Sequence, residues 1–217
     1  MEVIVAGAGV AGLAAAKELS AAGVDTIVLE ARDRIGGRVH TIYDERVAAP
    51  IELGAEFVHG DPPEIIDLAR EAALSVVETG GNPWLVNMRG ELVPSNDEPP
   101  GSVNRLWEIA RAYADRHRPD VSFQDFLGLP EAAGISEREK EWTKRFVSGF
   151  HAAEPKKVGI YGLIETQDAE ESINGMTSHR IPEGYGRLAD FLQQDSQRHG
   201  AKFFFDNIVT SVEWNGR

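Results

Sequence analysis

The 217-residue sequence contains no cysteine. A chain without thiols can form no disulfide bond, no thiolate nucleophile and no cysteine-ligated metal site. Histidine, aspartate and glutamate do not cluster at metal-ligand spacing either, so no metal is expected. The sequence also lacks internal repeats and low-complexity segments, and its apolar content of 42% is typical of a soluble globular protein.

Positive charge is scarce. The chain has 22 Lys and Arg against 35 Asp and Glu, which gives a formal net charge of −13. This surplus of negative charge disfavours nucleic acid and anionic membranes as partners. It is compatible with a cationic substrate, although an acidic surface commonly serves solubility alone.

The first apolar run, VIVAGAGVAGLAAA, has no basic segment before it, and its glycines follow a pattern with another explanation. We therefore predict neither a signal peptide nor a membrane span. Because nothing suggests secretion, a cytoplasmic location is expected.

The N-terminal segment predicts a β-α-β unit. EVIVAG is rich in β-branched residues and predicts a buried strand, and the next turn carries Gly7, Gly9 and Gly12 as G-x-G-x-x-G. LAAAKELSAAG then predicts a helix that ends at Gly23. DTIVLEA predicts a second buried strand, which leads into Glu30.

Each part of this unit suits a dinucleotide. Gly7 permits a tight turn, Gly9 lets the backbone approach a pyrophosphate, and Gly12 lets the helix pack on the strand. The helix N-terminus offers N–H groups to phosphates, and Glu30 is placed to accept hydrogen bonds from ribose hydroxyls. A glycine-rich turn that only packs a helix on a sheet is the alternative, and the motif alone does not separate FAD from NAD.

The stretch RIGGRVHT, Arg34 to Thr41, favours FAD. An NAD-binding domain needs no second phosphate-handling loop at this point, whereas a bound FAD runs its pyrophosphate past it. Gly36 and Gly37 would allow close approach, and Arg38 supplies positive charge. The alternatives are a surface turn with solvated arginines and, for the whole chain, an NAD(P)-binding module.

With these motifs the sequence resembles the flavin-containing amine oxidases, a family that includes monoamine, polyamine and L-amino acid oxidases and the flavin histone demethylases. The residues that carry the resemblance are GAGVAGLAAAKEL and VLEARDRIGGRVHT. R-x-G-G-R-x-x-T is more specific than G-x-G-x-x-G, although phytoene desaturases and protoporphyrinogen oxidases carry a related motif. The resemblance implies FAD as cofactor and a small amine as substrate. It also implies hydride transfer to the flavin, which gives an imine and hydrogen peroxide.

The resemblance also implies site residues. The strand in IELGAEFVHG would line the isoalloxazine ring, and the position matched by Val209 would contact the adenine through its backbone. The full cofactor-binding set is Gly7, Gly9, Ala11, Gly12, Glu30, Ala31, Arg32, Gly36, Gly37, Arg38, Leu53, Gly54, Ala55, Glu56 and Val209. His59 is a weak catalytic candidate, because polyamine-oxidase-like members carry His-Gly there, but a hydrogen-bonded loop histidine is the commoner role.

The predicted fold class is α/β. Residues 1–60 would form the first part of a Rossmann-like FAD-binding domain of the glutathione-reductase type. Residues 61–175 would form the helical part of an inserted substrate domain, and residues 176–217 would form an incomplete continuation of the FAD-binding domain.

Within the insertion we expect a helix after Pro62-Pro63, a hairpin turning at Arg89-Gly90, and helices capped by Ser122 and by a Ser136–Glu139 capping box. The aromatic residues Trp84, Trp107, Trp142 and Phe150 are expected in the core rather than in a substrate cage.

The last residues predict strands at 203–205 and 208–214, followed by a hairpin turn at Asn215-Gly216. No partner strand follows this turn, and family members are about twice this length, so the resemblance covers the N-terminal half alone. This leaves a second functional hypothesis: a non-catalytic FAD-binding fragment or subunit that needs a second chain for activity.

Overall fold

The computed structural model describes residues 1–80, 84–86, 91–94, 102–175 and 177–214. The chain divides into two units: the first comprises Met1–Thr79 and Gly175–Arg217, and the second comprises Gly80–Asn174. In chain order the elements are β1 (Glu2–Ala6), α1 (Val10–Ala21), β2 (Asp25–Leu29), β3 (Thr41–Ile42), β4 (Ile51–Glu52), β5 (Val58–His59), α2 (Pro63–Glu71), β6 (Val77–Glu78), β7 (Trp84–Val86), β8 (Leu92–Pro94), α3 (Ser102–Ala114), α4 (Phe123–Phe126), a 3-10 turn (Pro130–Ala132), α5 (Glu137–Gly149), α6 (Ile160–Ser172), β9 (Ser178–Arg180), α7 (Gly186–Arg198) and β10 (Lys202–Phe204).

The first unit extends further along the chain than the boundary predicted after residue 60. Residues 61–79 belong to it, because α2 buries Ala69 against Ile181 and Leu188. The strand β6 also pairs with β9, which follows residue 175. These long-range contacts are not visible as a change in local composition, which is what the sequence-based boundary relied on.

The predicted β-α-β unit is present. β2 lies between β1 and β10 and pairs in parallel with both. α1 and α7 contribute to one core with the sheet, formed by Ala8, Leu13, Ala16, Val28, Ala189 and Leu192. β1 is less buried than predicted, because it is at the edge of this sheet and leaves Ile4 59% exposed.

The strand predicted at residues 208–214 is absent. Beyond β10 the chain donates the N–H groups of Asp206 and Asn207 to the carbonyls of Arg32 and Glu30, at 3.1 and 2.9 Å. Residues 208–214 then run without ladder pairing to any residue that the structure describes. A strand is stabilised by hydrogen bonds to a neighbour, so β propensity alone does not create one here. The predicted turn at Asn215-Gly216 lies outside the described residues.

Two small antiparallel sheets complete the first unit. β3 pairs with β4, placing Thr41 opposite Glu52, and β9 lies between β5 and β6. A turn with Gly184 at φ +103° leads into α7. The glycine-rich sequence before LADFLQQ is typical of a turn that leads into a helix, and Leu188 and Leu192 of α7 are buried, as their helical spacing favours.

The second unit is mostly helical around its own core, which comprises Leu106, Trp107, Ala110, Tyr113, Phe123, Phe126, Leu127, Ile135, Val147, Ile160, Leu163 and Ile164. Both predicted caps are present: Ser122 accepts the N–H of Asp125, and Ser136 and Glu139 form a reciprocal capping box. β7 pairs with β8 as the predicted hairpin requires. The turn predicted at Arg89-Gly90 and the side chain of Trp84 lie outside the described residues.

The aromatic residues of α5 do not all enter this core. Trp107 is buried as expected, but Phe150 is 49% exposed. Trp142, Phe146 and Phe150 stack along one face of α5, with ring centroids 5.6 and 5.1 Å apart. Thr143 and Val147, the buried residues of the same helix, occupy a different face, so the prediction of a core position is wrong for Phe150.

No helix in the described ranges is both long and apolar enough to cross a membrane. The same residues contain no group of three or more His, Cys, Asp or Glu side chains that could hold a metal ion.

Phe126→Ala tests the core of the second unit. Phe126 is fully buried, with its ring edge-on to Tyr113 at 5.6 Å. Its truncation should lower the free energy of unfolding by about 3–5 kcal/mol, because it removes apolar contacts and leaves a cavity. The half-exposed Phe150 provides the control, since Phe150→Ala should cost about 1 kcal/mol. Urea denaturation followed by tryptophan fluorescence measures both, and equal losses would contradict the assigned core.

Candidate functional site

A cleft of about 1040 Å³ opens in the first unit, at the carboxyl ends of β1 and β2. Its volume is at the upper end of the range for ligand and cofactor sites. It brings together eleven of the fifteen predicted cofactor-binding residues: Gly9, Ala11, Glu30, Ala31, Arg32, Gly36, Gly37, Arg38, Leu53, Gly54 and Ala55. Val10, Arg34, Val39 and His40 also line it.

The first wall of the cleft is the glycine turn between β1 and α1. Gly7 has φ +99° and donates its N–H to the Leu29 carbonyl at 2.7 Å, which fixes the turn to the end of β2. The first helical hydrogen bond runs from the Leu13 N–H to the Gly9 carbonyl at 2.9 Å. The N–H groups before it therefore have no partner within the helix, and the first turn of α1 carries no acidic residue. This helix N-terminus is suited to an anion.

The second wall is the Gly36-Gly37 loop, and it is hydrogen-bonded to the first. The Gly36 N–H donates to the Ala8 carbonyl at 2.8 Å, and Gly9 and Gly36 form a parallel bridge. Gly36 and Gly37 have φ +90° and +61°, which favour glycine. A Cβ on Gly37 would lie 3.3 Å from the Gly9 Cα. The two glycine motifs therefore form one continuous surface, although 22 or more residues separate them in sequence.

Arg34 holds the second loop in shape. Its guanidinium donates to the carbonyls of Ile35 at 3.1 Å, Gly37 at 3.0 Å and Val39 at 3.4 Å. With these carbonyls occupied by Arg34, the loop is restrained in one conformation. Sequence reasoning did not assign Arg34 to the site, although it is the first residue of R-x-G-G-R-x-x-T and so could have been found there.

Arg38 differs from Arg34 because its side chain is exposed and makes no ion pair or hydrogen bond to any residue that the structure describes. It is at the cleft beside Gly37, in a protein with a net charge of −13. An unpaired guanidinium next to free helix N–H groups can form charge-assisted hydrogen bonds with a phosphate.

Glu30 ties the first wall to the end of β2. Its carboxylate accepts the Ala8 N–H at 2.7 Å and the Arg32 N–H at 2.9 Å. Partial burial would raise the pKa of this carboxyl, but the hydrogen bonds from Ala8 and Arg32 stabilise the ionised form and hold its pKa below the usual value of 4.5. Each carboxylate oxygen keeps a lone pair, so Glu30 can also accept from a ligand hydroxyl.

A third segment, Leu53 to Ala55, closes the cleft on the side of the second glycine loop. The Leu53 N–H donates to the His40 carbonyl at 2.8 Å, and the Ala55 N–H donates to the Arg38 carbonyl at 3.1 Å. Gly54 packs so closely that a Cβ there would collide with the Arg38 carbonyl. The backbone of this segment is thus fixed against the loop that carries Arg38.

The remaining predicted residues lie outside the cleft lining. Gly7 and Gly12 shape the turn behind it, because a Cβ on Gly12 would collide with the Gly7 carbonyl. Glu56 lines a neighbouring pocket of about 310 Å³ and forms an ion pair with Arg180. Val209 is 41% exposed in the segment after β10, which has no regular secondary structure.

His59, the catalytic candidate, is exposed at the end of β5 and does not line the cleft. Its ring centroid lies 6.2 Å from that of Phe57.

Glu30→Gln tests the role of the Glu30 carboxylate. The folded-state pKa of Glu30 is lowered, so its ionised form stabilises the fold above pH 4.5, and this stabilisation is lost as pH falls through the folded pKa. Wild-type stability should therefore fall more steeply than that of Glu30→Gln below about pH 5. Glu45→Gln, at an exposed acid outside the cleft, should keep the wild-type slope. Thermal unfolding from pH 3 to 7 gives the comparison, and parallel curves for wild type and Glu30→Gln would refute the role.

The fit to a dinucleotide rests on the cleft itself. Its walls offer free helix N–H groups, glycines at the close approaches, and an unpaired arginine, which together suit a pyrophosphate. The acid at the end of β2 suits a ribose. These donors and acceptors lie within one unit of the chain.

Comparison with known proteins agrees with these features. The family model described as flavin containing amine oxidoreductase matches residues 10–217. Flavin-containing amine oxidase A of Sus scrofa is 37% identical over 147 residues, which cover 66% of this chain and 27% of that protein. Probable polyamine oxidase 4 of Arabidopsis thaliana is 44% identical over 82 residues, which cover 37% of this chain and 16% of that protein.

Solved structures of similar fold include a triple mutant of a putrescine oxidase redesigned in its cofactor binding. It has a TM-score of 0.74 at 23% identity and covers 99% of this chain and 52% of that chain. Cyclohexylamine oxidase from Brevibacterium oxydans IH-35A has a TM-score of 0.68 at 22% identity, over 93% of this chain and 50% of that one. At these identities the likeness shows a mixed α/β fold alone. The chain spans about half the length of these solved structures.

Proposed function

The chain belongs to the flavin containing amine oxidoreductase family, and on this premise we propose that it binds FAD in the cleft of its first unit. The observation that carries the proposal is the hydrogen-bonded pair of glycine loops with the unpaired Arg38 beside them. An NAD(P)-binding module would use the first loop and Glu30 but would leave the second loop and Arg38 without a ligand.

The roles of the residues follow from their chemistry. The N–H groups at the start of α1, the Gly36-Gly37 backbone and Arg38 would hold the pyrophosphate. Glu30 would accept hydrogen bonds from the adenosine ribose, with Ala31 and Arg32 beside it. Leu53, Gly54, Ala55 and Glu56 would adjoin the isoalloxazine ring, and the Val209 backbone would contact the adenine, as the resemblance implies.

The proposed reaction of the parent protein is oxidation of a small amine. When bound, FAD would supply the oxidising chemistry, which is hydride acceptance from the amine carbon with oxygen as the final electron acceptor and hydrogen peroxide as the reduced product. The chain's own residues bind and orient the cofactor through the glycine loops, Arg38 and the fixed backbone of Leu53 to Ala55. An acid or base is not assigned to the step, and His59 is kept as a candidate on the substrate side.

In this proposal the first unit is a Rossmann-like FAD-binding domain of the glutathione-reductase type. The second unit is the helical part of a substrate domain, and the location is cytoplasmic. The parallel β1-β2-β10 sheet with α1 as its crossover supports the first assignment, and the helical core of the second unit supports the next.

A second candidate is a non-catalytic FAD-binding chain that acts beside another polypeptide. The residues proposed to bind FAD all lie in the first unit, so they could hold the cofactor without any amine turnover. Amine turnover distinguishes the two candidates, since FAD retention alone fits both.

Arg38→Ala tests the cofactor proposal. Wild type should retain FAD after removal of excess cofactor and should show a perturbed flavin absorption spectrum, whereas NAD should not be retained. Loss of the Arg38 charge should lower FAD affinity about 10- to 100-fold, because charge-assisted hydrogen bonds to phosphate are lost.

Arg46→Ala is the matched control, since Arg46 is exposed, pairs with Asp44 and lies outside the cleft. It should bind FAD as wild type does. Calorimetric titration with FAD and with NAD measures each affinity. Equal FAD affinity of Arg38→Ala and wild type, or preference for NAD, would overturn the assignment.

His59→Ala tests the catalytic candidate. We expect lower amine turnover with FAD affinity unchanged, because His59 lies outside the cofactor cleft. The measurement is peroxide release with a panel of mono-, di- and polyamines, alongside flavin absorption as the check on cofactor content. Turnover equal to that of wild type would remove His59 from the mechanism.

A further inference from the structure

The last residue of the R-x-G-G-R-x-x-T motif, Thr41, does not line the cofactor cleft. Its Oγ1 donates to Glu52 Oε2 at 2.5 Å and accepts the Gly186 N–H at 2.7 Å. Glu52 Oε1 accepts the Tyr185 N–H at 2.7 Å. Two side chains of the β3–β4 hairpin therefore bind two N–H groups at the start of α7, across sequence separations of 145 and 133 residues.

α7 depends on this contact for its capping. Its own N-cap, Tyr185, makes no side-chain capping hydrogen bond, and the first turn holds no acidic residue. Helix N-termini need acceptors for their free N–H groups and favour a nearby negative charge. Thr41 supplies the acceptor and Glu52 supplies both acceptor and charge.

The turn before α7 is shaped to admit the hairpin. A Cβ on Gly186 would lie 2.8 Å from Thr41 Oγ1, and one on Gly184 would lie 2.6 Å from the Tyr43 hydroxyl oxygen. The Tyr43 hydroxyl also donates to the Glu183 carbonyl at 2.9 Å. Glycine at both positions thus keeps the hairpin within hydrogen-bonding distance of the helix.

The other end of the same hairpin is the cofactor cleft. His40 directly precedes Thr41, and Leu53 directly follows Glu52. His40 and Leu53 line the cleft and are joined by the Leu53 N–H to the His40 carbonyl at 2.8 Å. A shift of the hairpin relative to α7 would therefore move the backbone on which Arg38 and Gly54 are held.

We propose that Thr41 and Glu52 are a positioning pair: they anchor the β3–β4 hairpin to the N-terminus of α7 and so fix the cleft backbone at residues 38–40 and 53–55. Neither residue contacts the cofactor in this proposal. The proposal rests on the proposed function for its ligand, but the anchoring itself is a property of the chain without FAD.

The chemistry of the pair predicts a graded series. Thr41 has one hydroxyl proton, which it gives to Glu52, so valine at this position removes both the donor and the acceptor. Serine keeps them. Glutamine in place of Glu52 keeps the volume, but the Tyr185 N–H and the Thr41 hydroxyl face different carboxylate oxygens, and one of these becomes an NH2 group that cannot accept.

The first experiment is native-state hydrogen exchange on the chain without cofactor. Thr41→Val should speed exchange of the Gly186 amide, which loses its acceptor, and also of the amides of residues 53–55, which lose this anchor to α7. Thr41→Ser should match wild type, and Glu52→Gln should be intermediate. If Thr41→Val does not fold, the same exchange measurement is made on Glu52→Gln instead.

Thr79→Val is the matched control, because it removes a threonine hydroxyl that hydrogen-bonds to the Ser178 carbonyl at 2.8 Å in the same unit. It should leave exchange at residues 53–55 unchanged. Faster exchange confined to Gly186 in Thr41→Val would mean that Thr41 only caps α7 locally, and it would overturn the positioning role. An equal effect of Thr79→Val at residues 53–55 would also overturn the proposal.

The second measurement is FAD affinity, with the flavin spectrum recorded for each variant. Thr41→Val should bind FAD about tenfold more weakly than wild type, as expected for loss of the hydrogen bonds that hold the site, and Thr41→Ser should bind as wild type does. If wild type binds no FAD, the proposed function fails while the exchange result still decides the anchoring. If wild type and Thr41→Val bind FAD equally well with the same spectrum, the positioning role fails and the proposed function stands.

Discussion

One hydrogen bond organises the cofactor cleft: the Gly36 N–H donates to the Ala8 carbonyl at 2.8 Å. It joins two loops that sequence motifs describe separately, and Gly9 and Gly36 form a parallel bridge beside it. A side chain on Gly37 would crowd the first loop, since its Cβ would lie 3.3 Å from the Gly9 Cα, and the positive φ of Gly37 also favours glycine. Glu30 reinforces the junction by accepting the Ala8 N–H, so hydrogen bonds connect the end of β2 to the first loop and, through Ala8, to the second.

The two arginines of the second glycine loop, Arg34 and Arg38, have different roles. The guanidinium of Arg34 donates hydrogen bonds to three loop carbonyls and so maintains the shape of the loop. Arg38 has no such partner among the described residues and keeps its charge available to a ligand. In a protein of net charge −13, positive charge concentrated at one cleft is a local electrostatic feature, and it favours an anion where the overall composition would not. These two roles explain why the motif has an arginine on each side of its glycines.

Local patterns predicted the local structure well. The β-α-β unit and the Ser122 and Ser136 caps follow from short-range rules of turn and helix chemistry. The place of Leu53, Gly54 and Ala55 at the cleft does not, and it was expected only because the sequence resembles a known family. Features that depend on distant partners were missed: the bonds of Thr41 and Glu52 to α7, the inclusion of residues 61–79 in the first unit, and the unpaired state of residues 208–214. Phe150 was misplaced for the same reason, because helical spacing identifies an apolar face but not what packs on it.

The central claim is that the two joined glycine loops and Arg38 hold the pyrophosphate of FAD. The most direct test is the phosphorus NMR spectrum of FAD titrated with the 217-residue chain. The account predicts that both pyrophosphate resonances shift and broaden on binding, because backbone N–H groups and a guanidinium surround them. Pyrophosphate resonances that stay sharp and unshifted, even with flavin bound, would contradict it.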